Sequence, residues 1–237
     1  MVKCIFKAKQ LSQISLIVDY ICSMTDATFT AEKLLQADAV RLSPEQPFTW
    51  ASGWKSPIYC DNRKLLSQPF IRDYIKSELA NAVFEKFADA EVIAGVATAG
   101  IAWGAMVADQ LKLPFIYVRP KPKEHGLGNQ IEGSFLKGQK AVVIEDLIST
   151  GKSSMQVVDV LNTAEVEVVG MASIFNYRFS LAQEVFERAG LTVFSLTDYP
   201  SLLQLALQKG IIKETDQEVL LNWREDPGNW KGVPVNS

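Results

Sequence analysis

Residues 142–154 read Val-Val-Ile-Glu-Asp-Leu-Ile-Ser-Thr-Gly-Lys-Ser-Ser, and this stretch constrains the fold more than any other. It opens on branched apolar residues, as a strand buried on both faces does. Glu145 and Asp146 follow, then Leu147, Ile148, Ser149, Thr150, Gly151, Lys152 and Ser153, then Met155, Val158 and Leu161 at helical spacing. Small hydroxyl residues at a helix start leave backbone N–H groups free, and the helix dipole adds positive potential there. That is a seat for a phosphate. The carboxylates just upstream suit the hydroxyls of a sugar, or a hydrated magnesium ion, beside that phosphate. A ribose 5-phosphate fits between the two.

Plainer readings compete. An acidic pair also ends a buried strand simply because the chain meets water there, and Ser-Thr-Gly also caps helices. A nucleotide P-loop fails: Gly151-Lys152-Ser153 copies its end, but the motif needs Gly five residues earlier, where Asp146 stands.

At 237 residues, 48% of them hydrophobic, the chain is long enough for one α/β domain with a small appended piece. A net charge of −3 and the lack of a dense Lys/Arg block argue against a nucleic-acid face. Cys4, Cys22 and Cys60 show no Cys-x-x-Cys spacing, and His125 is the only histidine. A zinc site or disulfide framework is therefore not expected, and a cytoplasmic setting is. Residues 1–23 carry Lys3, Lys7 and Lys9 before an interrupted apolar run, Leu11 to Ile21. That run is too short and too polar to span a bilayer and lacks a cleavage pattern. The segment is expected to be an extension, with Met24 as the functional start.

Helical spacing predicts a helix over 27–39 with Thr30 as its cap, and another over about 69–87 carrying Ile71, Tyr74, Ile75, Leu79, Val83 and Phe87. Between them, Phe48 to Arg63 reads as a β-hairpin with its turn at Ser52-Gly53, either a small aromatic lid or a ligand cover. Strand 91–97 runs into Thr98-Ala99-Gly100 and a helix to about 111, a second anion seat or simply a tight turn. Strand 114–118 precedes the Pro- and Gly-rich loop 119–133. In an extended chain, Arg119, Lys121, Lys123 and His125 recur on one side of that loop, suiting a polyphosphate, although a solvated loop explains them too. Strand 166–175 leads to Arg178, placed either to grip a planar carboxylate or to make a surface salt bridge. Further helices and a strand follow at 181–189, 191–196, 199–208 and 216–224. The alternation from residue 91 onward predicts a mostly parallel sheet flanked by helices, with residues 24–67 as a hood and 68–237 as the core.

The stretch 142–154 resembles the phosphoribosyl-diphosphate motif of the type I phosphoribosyltransferases. Phe48-Thr49-Trp50-Ala51-Ser52-Gly53-Trp54-Lys55-Ser56-Pro57 resembles the signature of that family's orotate-using branch, and Tyr59 to Arg63 resembles one bacterial group within it. The resemblance covers roughly residues 28–210. It implies the type I phosphoribosyltransferase fold and transfer of ribose 5-phosphate from 5-phosphoribosyl 1-diphosphate (PRPP) to orotate, with Mg2+ carried chiefly by the substrate and contacting Glu145 and Asp146 at most through water. It also implies orotate contacts from Lys55, Tyr59, Ser149 and Arg178. For PRPP it implies contacts from Arg119, Lys123, His125, Glu145, Asp146 and Leu147 to Ser153, with Arg119, Lys123, His125 and Asp146 catalytic. Loop 119–133 is implied to close over the neighbouring subunit of a homodimer. Where some members carry Lys, this chain has Ala51, Ala99 and Pro120. A transferase for another base, and a non-catalytic PRPP-sensing regulator that binds nucleic acid, are the competing classes. The regulator needs a basic face, which a pI near 5.4 does not advertise.

Overall fold

The computed structural model describes residues 27–50, 52–122 and 130–230. Lys123, His125, Ala51 and the extension 1–23 lie outside them. The chain enters through helix α1, whose described part spans 27–36. Short strands β1 (Val40–Leu42), β2 (Phe48–Thr49), β3 (Lys55–Ser56) and β4 (Ile58–Cys60) follow, then a 3₁₀ turn at Asn62–Ser67 and helix α2 (Pro69–Lys86). Next come β5 (Val92–Val96), α3 (Ala99–Leu111), β6 (Phe115–Val118), β7 (Ile131–Glu132), β8 (Lys140–Ile148) and α4 (Lys152–Thr163). The chain continues through β9 (Glu167–Asn176), α5 (Ser180–Arg188), β10 (Val193–Asp198), α6 (Tyr199–Gln208) and α7 (Glu214–Glu225).

Six strands form the main sheet in the order β10-β9-β8-β5-β6-β7, parallel except for β7 at one edge. The chain leaves β5 toward β6 and returns to β8 on the opposite side. The strand order therefore reverses between β5 and β8. In open α/β sheets such a reversal opens a crevice at the carboxyl ends of the two strands, where ligands bind.

Strand side chains alternate between the faces. Ile93, Val142 and Ile144 enter one core with Ile75 and Leu79 of α2, Trp103 and Val107 of α3, and Leu202 of α6. Val92, Ala94 and Val143 enter the other with Val157, Val158 and Leu161 of α4 and Phe186 of α5. The hood shares the first core through Leu34, Ile58 and Leu65, all fully buried. Each contributes about 1.5–3 kcal/mol, enough to seat strands too short to be stable alone.

Two expectations need correction. Thr30 lies inside α1 rather than at its start, and its hydroxyl sits 2.9 Å from that of Tyr74 on α2. Nor is 48–63 a single hairpin. β2 pairs with β3 around the turn holding Gly53 (φ 87), but β4 pairs with β1, twenty residues back at Val40↔Cys60 to sixteen at Leu42↔Ile58. Ser56 and Pro57 turn the chain from one pairing to the other, with the Ser56 hydroxyl donating to the Ile58 carbonyl at 2.7 Å.

Candidate active site

The carboxyl ends of β5 and β8 meet at the reversal point. There Gly100, in the first turn of α3, lies against β8: a Cβ added to it would stand 2.5 Å from the Ile144 carbonyl oxygen. Backbone on both sides leaves no flexible group to yield. Gly100→Ala is expected to cost about 1–3 kcal/mol and to displace the end of β8, read as a lowered Tm together with lost activity.

Glu145 and Asp146 lie inside β8 rather than beyond it, and Glu145 is 4% exposed. Its carboxylate accepts from the Ser154 hydroxyl at 3.3 Å and from the Asp146 amide at 3.1 Å. Burial, then the neighbouring Asp146 charge, lift the Glu145 carboxyl well above the usual carboxylate range. Burial lifts Asp146 as well, against a hydrogen bond with Glu145 and the positive charge of Arg63. Two carboxylates this close and this dry hold a proton far more readily than exposed ones. The strand does not simply meet water here.

After β8, Ser149 and Thr150 bend the chain and Gly151 takes the left-handed conformation (φ 73) as N-cap of α4. No side chain caps this helix, so helix capping does not explain the hydroxyl run. The Met155 N–H donates to the Gly151 carbonyl at 2.9 Å, closing the first turn across the cap. The amides of Lys152 to Ser154 precede it and have no acceptor within the helix. They share this end of the sheet with the acidic pair, the requirement for a phosphorylated sugar.

Arg119 begins the loop after β6. Its amide donates to the Gln130 carbonyl at 2.9 Å, and the Gln130 side chain returns a bond to its carbonyl at 2.7 Å. The Arg119 guanidinium stands 3.7 Å from Glu132. The β6–β7 pairing thus forms a stem that starts loop 119–133 at the same edge of the sheet. Arg178, at the end of β9, has positive φ (57) and donates Nε to Asp198 at 3.1 Å. The ion pair considered from sequence is therefore present. It engages only Nε; the two terminal amino groups make no hydrogen bond among the described residues.

The hood packs over this edge through an aromatic cluster. Trp50 lies 5.1 Å from Tyr177, the residue before Arg178, and 5.7 Å from Trp223 of α7. Lys55 donates to the Thr49 hydroxyl at 2.8 Å, and its carbonyl accepts from Trp223 Nε1 at 3.1 Å. The Tyr59 ring sits 5.7 Å from Phe48 and 5.9 Å from the Arg41 guanidinium. Two features escaped the sequence reading. Trp223 ties the carboxyl-terminal helix to the hairpin, and fully buried Asn62 donates Nδ2 to the Asp146 carbonyl at 2.6 Å. Asn62 is polar and follows Asp61 within a string read as hairpin, so nothing local signalled burial.

Residues 64–193 match the Phosphoribosyl transferase domain family. The chain is 53% identical over 201 residues to an orotate phosphoribosyltransferase of Phocaeicola vulgatus, covering 85% of this chain and 95% of that one. The chain belongs to the orotate phosphoribosyltransferase family. A solved orotate phosphoribosyltransferase of Aeropyrum pernix superposes with a TM-score of 0.67 at 30% identity, over 77% of this chain and 99% of that one. The Leishmania donovani UMP synthase matches with a TM-score of 0.69 at 26% identity; it is longer, and this chain spans 42% of it. The six-stranded, mostly parallel sheet with helices on both faces is the fold shared with these phosphoribosyltransferases.

Proposed function

We infer that the protein catalyses transfer of ribose 5-phosphate from PRPP to orotate, yielding orotidine 5′-monophosphate and pyrophosphate in pyrimidine biosynthesis. The observation that carries this is the pairing of the buried Glu145–Asp146 carboxyls with the uncapped start of α4 at the strand-order reversal. Identity of 53% over most of the chain to an orotate enzyme supports the choice of base. Incubation with orotate, PRPP and magnesium, with uracil and adenine as controls, tests it: orotate alone is expected to be consumed, with release of pyrophosphate. Consumption of another base, or of none, overturns it.

The difficult event is departure of pyrophosphate from C1 of the ribose, leaving an oxocarbenium-like sugar. Ser149 to Ser153 anchor the 5-phosphate, and that remote binding energy serves to position C1. Glu145 and Asp146 accept from the ribose hydroxyls, which favours their ionised forms and the cationic sugar. Arg119, Lys123 and His125 neutralise the leaving group as charge develops on it. The loop that carries them serves the neighbouring subunit of a homodimer, a reading supported by family resemblance.

Among the described residues, no cluster of three or more His, Cys, Asp and Glu side chains could hold a metal ion. Two adjacent carboxylates fit an ion brought in by the diphosphate, as magnesium usually is. Bound there, magnesium supplies Lewis-acid neutralisation of the diphosphate oxygens. Among the described residues no helix is long and apolar enough to cross a membrane. A cytoplasmic site of action without nucleic-acid partners is part of this reading, and the acidic composition supports the second half of it.

Arg178 receives the orotate carboxylate on its terminal amino groups while Asp198 holds Nε. Arg178→Ala is expected to raise KM for orotate about tenfold or more and to leave KM for PRPP nearly unchanged, as steady-state kinetics with each substrate varied will show.

A further inference from the structure

β5 pairs with β8 only as far as Gly95↔Ile144, whereas β9 accompanies β8 to Ile148↔Asn176. The last four residues of β8, which include both carboxylates, therefore have a neighbouring strand on one side only. A buried backbone carbonyl on the open side needs a donor from elsewhere. Asn62, eighty-four residues away in sequence, supplies it: Nδ2 donates to the Asp146 carbonyl at 2.6 Å, from a side chain that is fully buried.

Asn62 is itself held from both directions. The Cys60 thiol lies 3.5 Å from its Oδ1, and burial together with the charges of Asp146 and Asp61 keeps that thiol protonated, hence a donor. The amide of Asp61 donates to the Ala39 carbonyl at 2.7 Å, and its carboxylate accepts from Arg63 Nε at 2.6 Å. Tyr59, for which the family resemblance implies an orotate contact, and Cys60 end β4. One short piece of chain, 59–63, thus joins the base side of the site to the ribose side.

We propose that Asn62 is a positioning residue for the transfer reaction: through its bond to the Asp146 carbonyl it fixes the acidic pair relative to the hood that covers orotate. This rests on the transferase reading above. Asn62 is fully buried with both ends of its amide bonded within the protein, so its loss acts on geometry at C1 more than on the affinity of either substrate. A misplacement of about 1 Å at a reacting centre costs on the order of 100-fold in rate.

The test compares wild type, Asn62→Ala and Asn62→Asp in steady-state kinetics from acid to alkaline pH, with thermal unfolding alongside. For Asn62→Ala, kcat is expected to fall about 100-fold with both KM values within about threefold of wild type. In Asn62→Asp, only the protonated carboxyl can donate to the Asp146 carbonyl, and the ionised form repels the pair. Its kcat relative to wild type is therefore expected to rise as pH falls. A purely structural Asn62 lowers Tm in both variants and leaves that ratio flat with pH, which overturns the proposal, as does an unchanged kcat in Asn62→Ala. If Asn62→Ala does not fold, the pH profile of Asn62→Asp decides alone. Wild type that fails to consume orotate overturns the transferase reading instead, so the two failures are distinct.

Discussion

Lys123→Ala is expected to lower kcat on the order of 100-fold or more while leaving orotate affinity nearly unchanged. Pyrophosphate leaves C1 as a highly charged group, and a cation aimed at it acts on charge that is greatest in the transition state. Interactions of that kind appear in kcat; interactions equal in ground and transition states appear in KM. Lys123 lies outside the described residues, but the stem that begins its loop is set by the two Arg119–Gln130 hydrogen bonds at the carboxyl edge of the sheet. Equilibrium binding of orotate together with turnover separates the two quantities. An unchanged kcat, or a weakening of orotate affinity that matches the loss of turnover, contradicts the role.

Glu145→Gln is expected to do opposite things to stability and to catalysis. The carboxyl of Glu145 is raised by burial and by Asp146, so the folded state binds more protons than the unfolded state. Stability from this group is complete below the ordinary carboxylate range and declines as pH rises from about 4.5 through the raised value. At neutral pH the ionised pair is therefore a cost to the unliganded protein. Glutamine carries no charge; its Oε1 still accepts from the Asp146 amide, and its Nε2 donates to the Ser154 hydroxyl in place of the bond Glu145 accepts there. The variant should gain on the order of 1 kcal/mol, a Tm higher by about 2–4 °C at pH 7 and a flatter dependence of Tm on pH. Its kcat should fall about 100-fold, since the carboxylate that favours the cationic sugar is gone. Unfolding scans from pH 4 to pH 8 beside turnover measurements check both halves. A lower Tm at neutral pH sinks the electrostatic half even if activity falls.

The elements legible in the sequence are those whose partners are close along the chain or whose pattern is strong. α2 carries an apolar stripe, and its buried positions Ile75, Leu79 and Val83 lie on it. β5 and β8 read as apolar runs because helices cover both their faces. Site features reached through non-local partners were hidden. β4 looks like the second arm of a hairpin until β1 takes its hydrogen bonds. Arg178 could grip a ligand or make an ion pair, and only the fold brings Asp198 to its Nε, with no hydrogen bond to the terminal amino groups among the described residues. The burial of Asn62 depends on β5 ending early, which is a property of the sheet and not of residues 61–63. Likewise the acidic pair was expected to follow its strand, and the register with Ser173 and Phe175 on β9 extends the strand past it.

A crystal structure with orotidine 5′-monophosphate tests the central claim most directly. The 5′-phosphate is expected within hydrogen-bonding distance of the backbone amides at 151–154, with the ribose hydroxyls on Glu145 and Asp146 and the orotate carboxylate on Arg178. A phosphate bound away from that bend, with the two carboxylates touching no sugar oxygen, would contradict it.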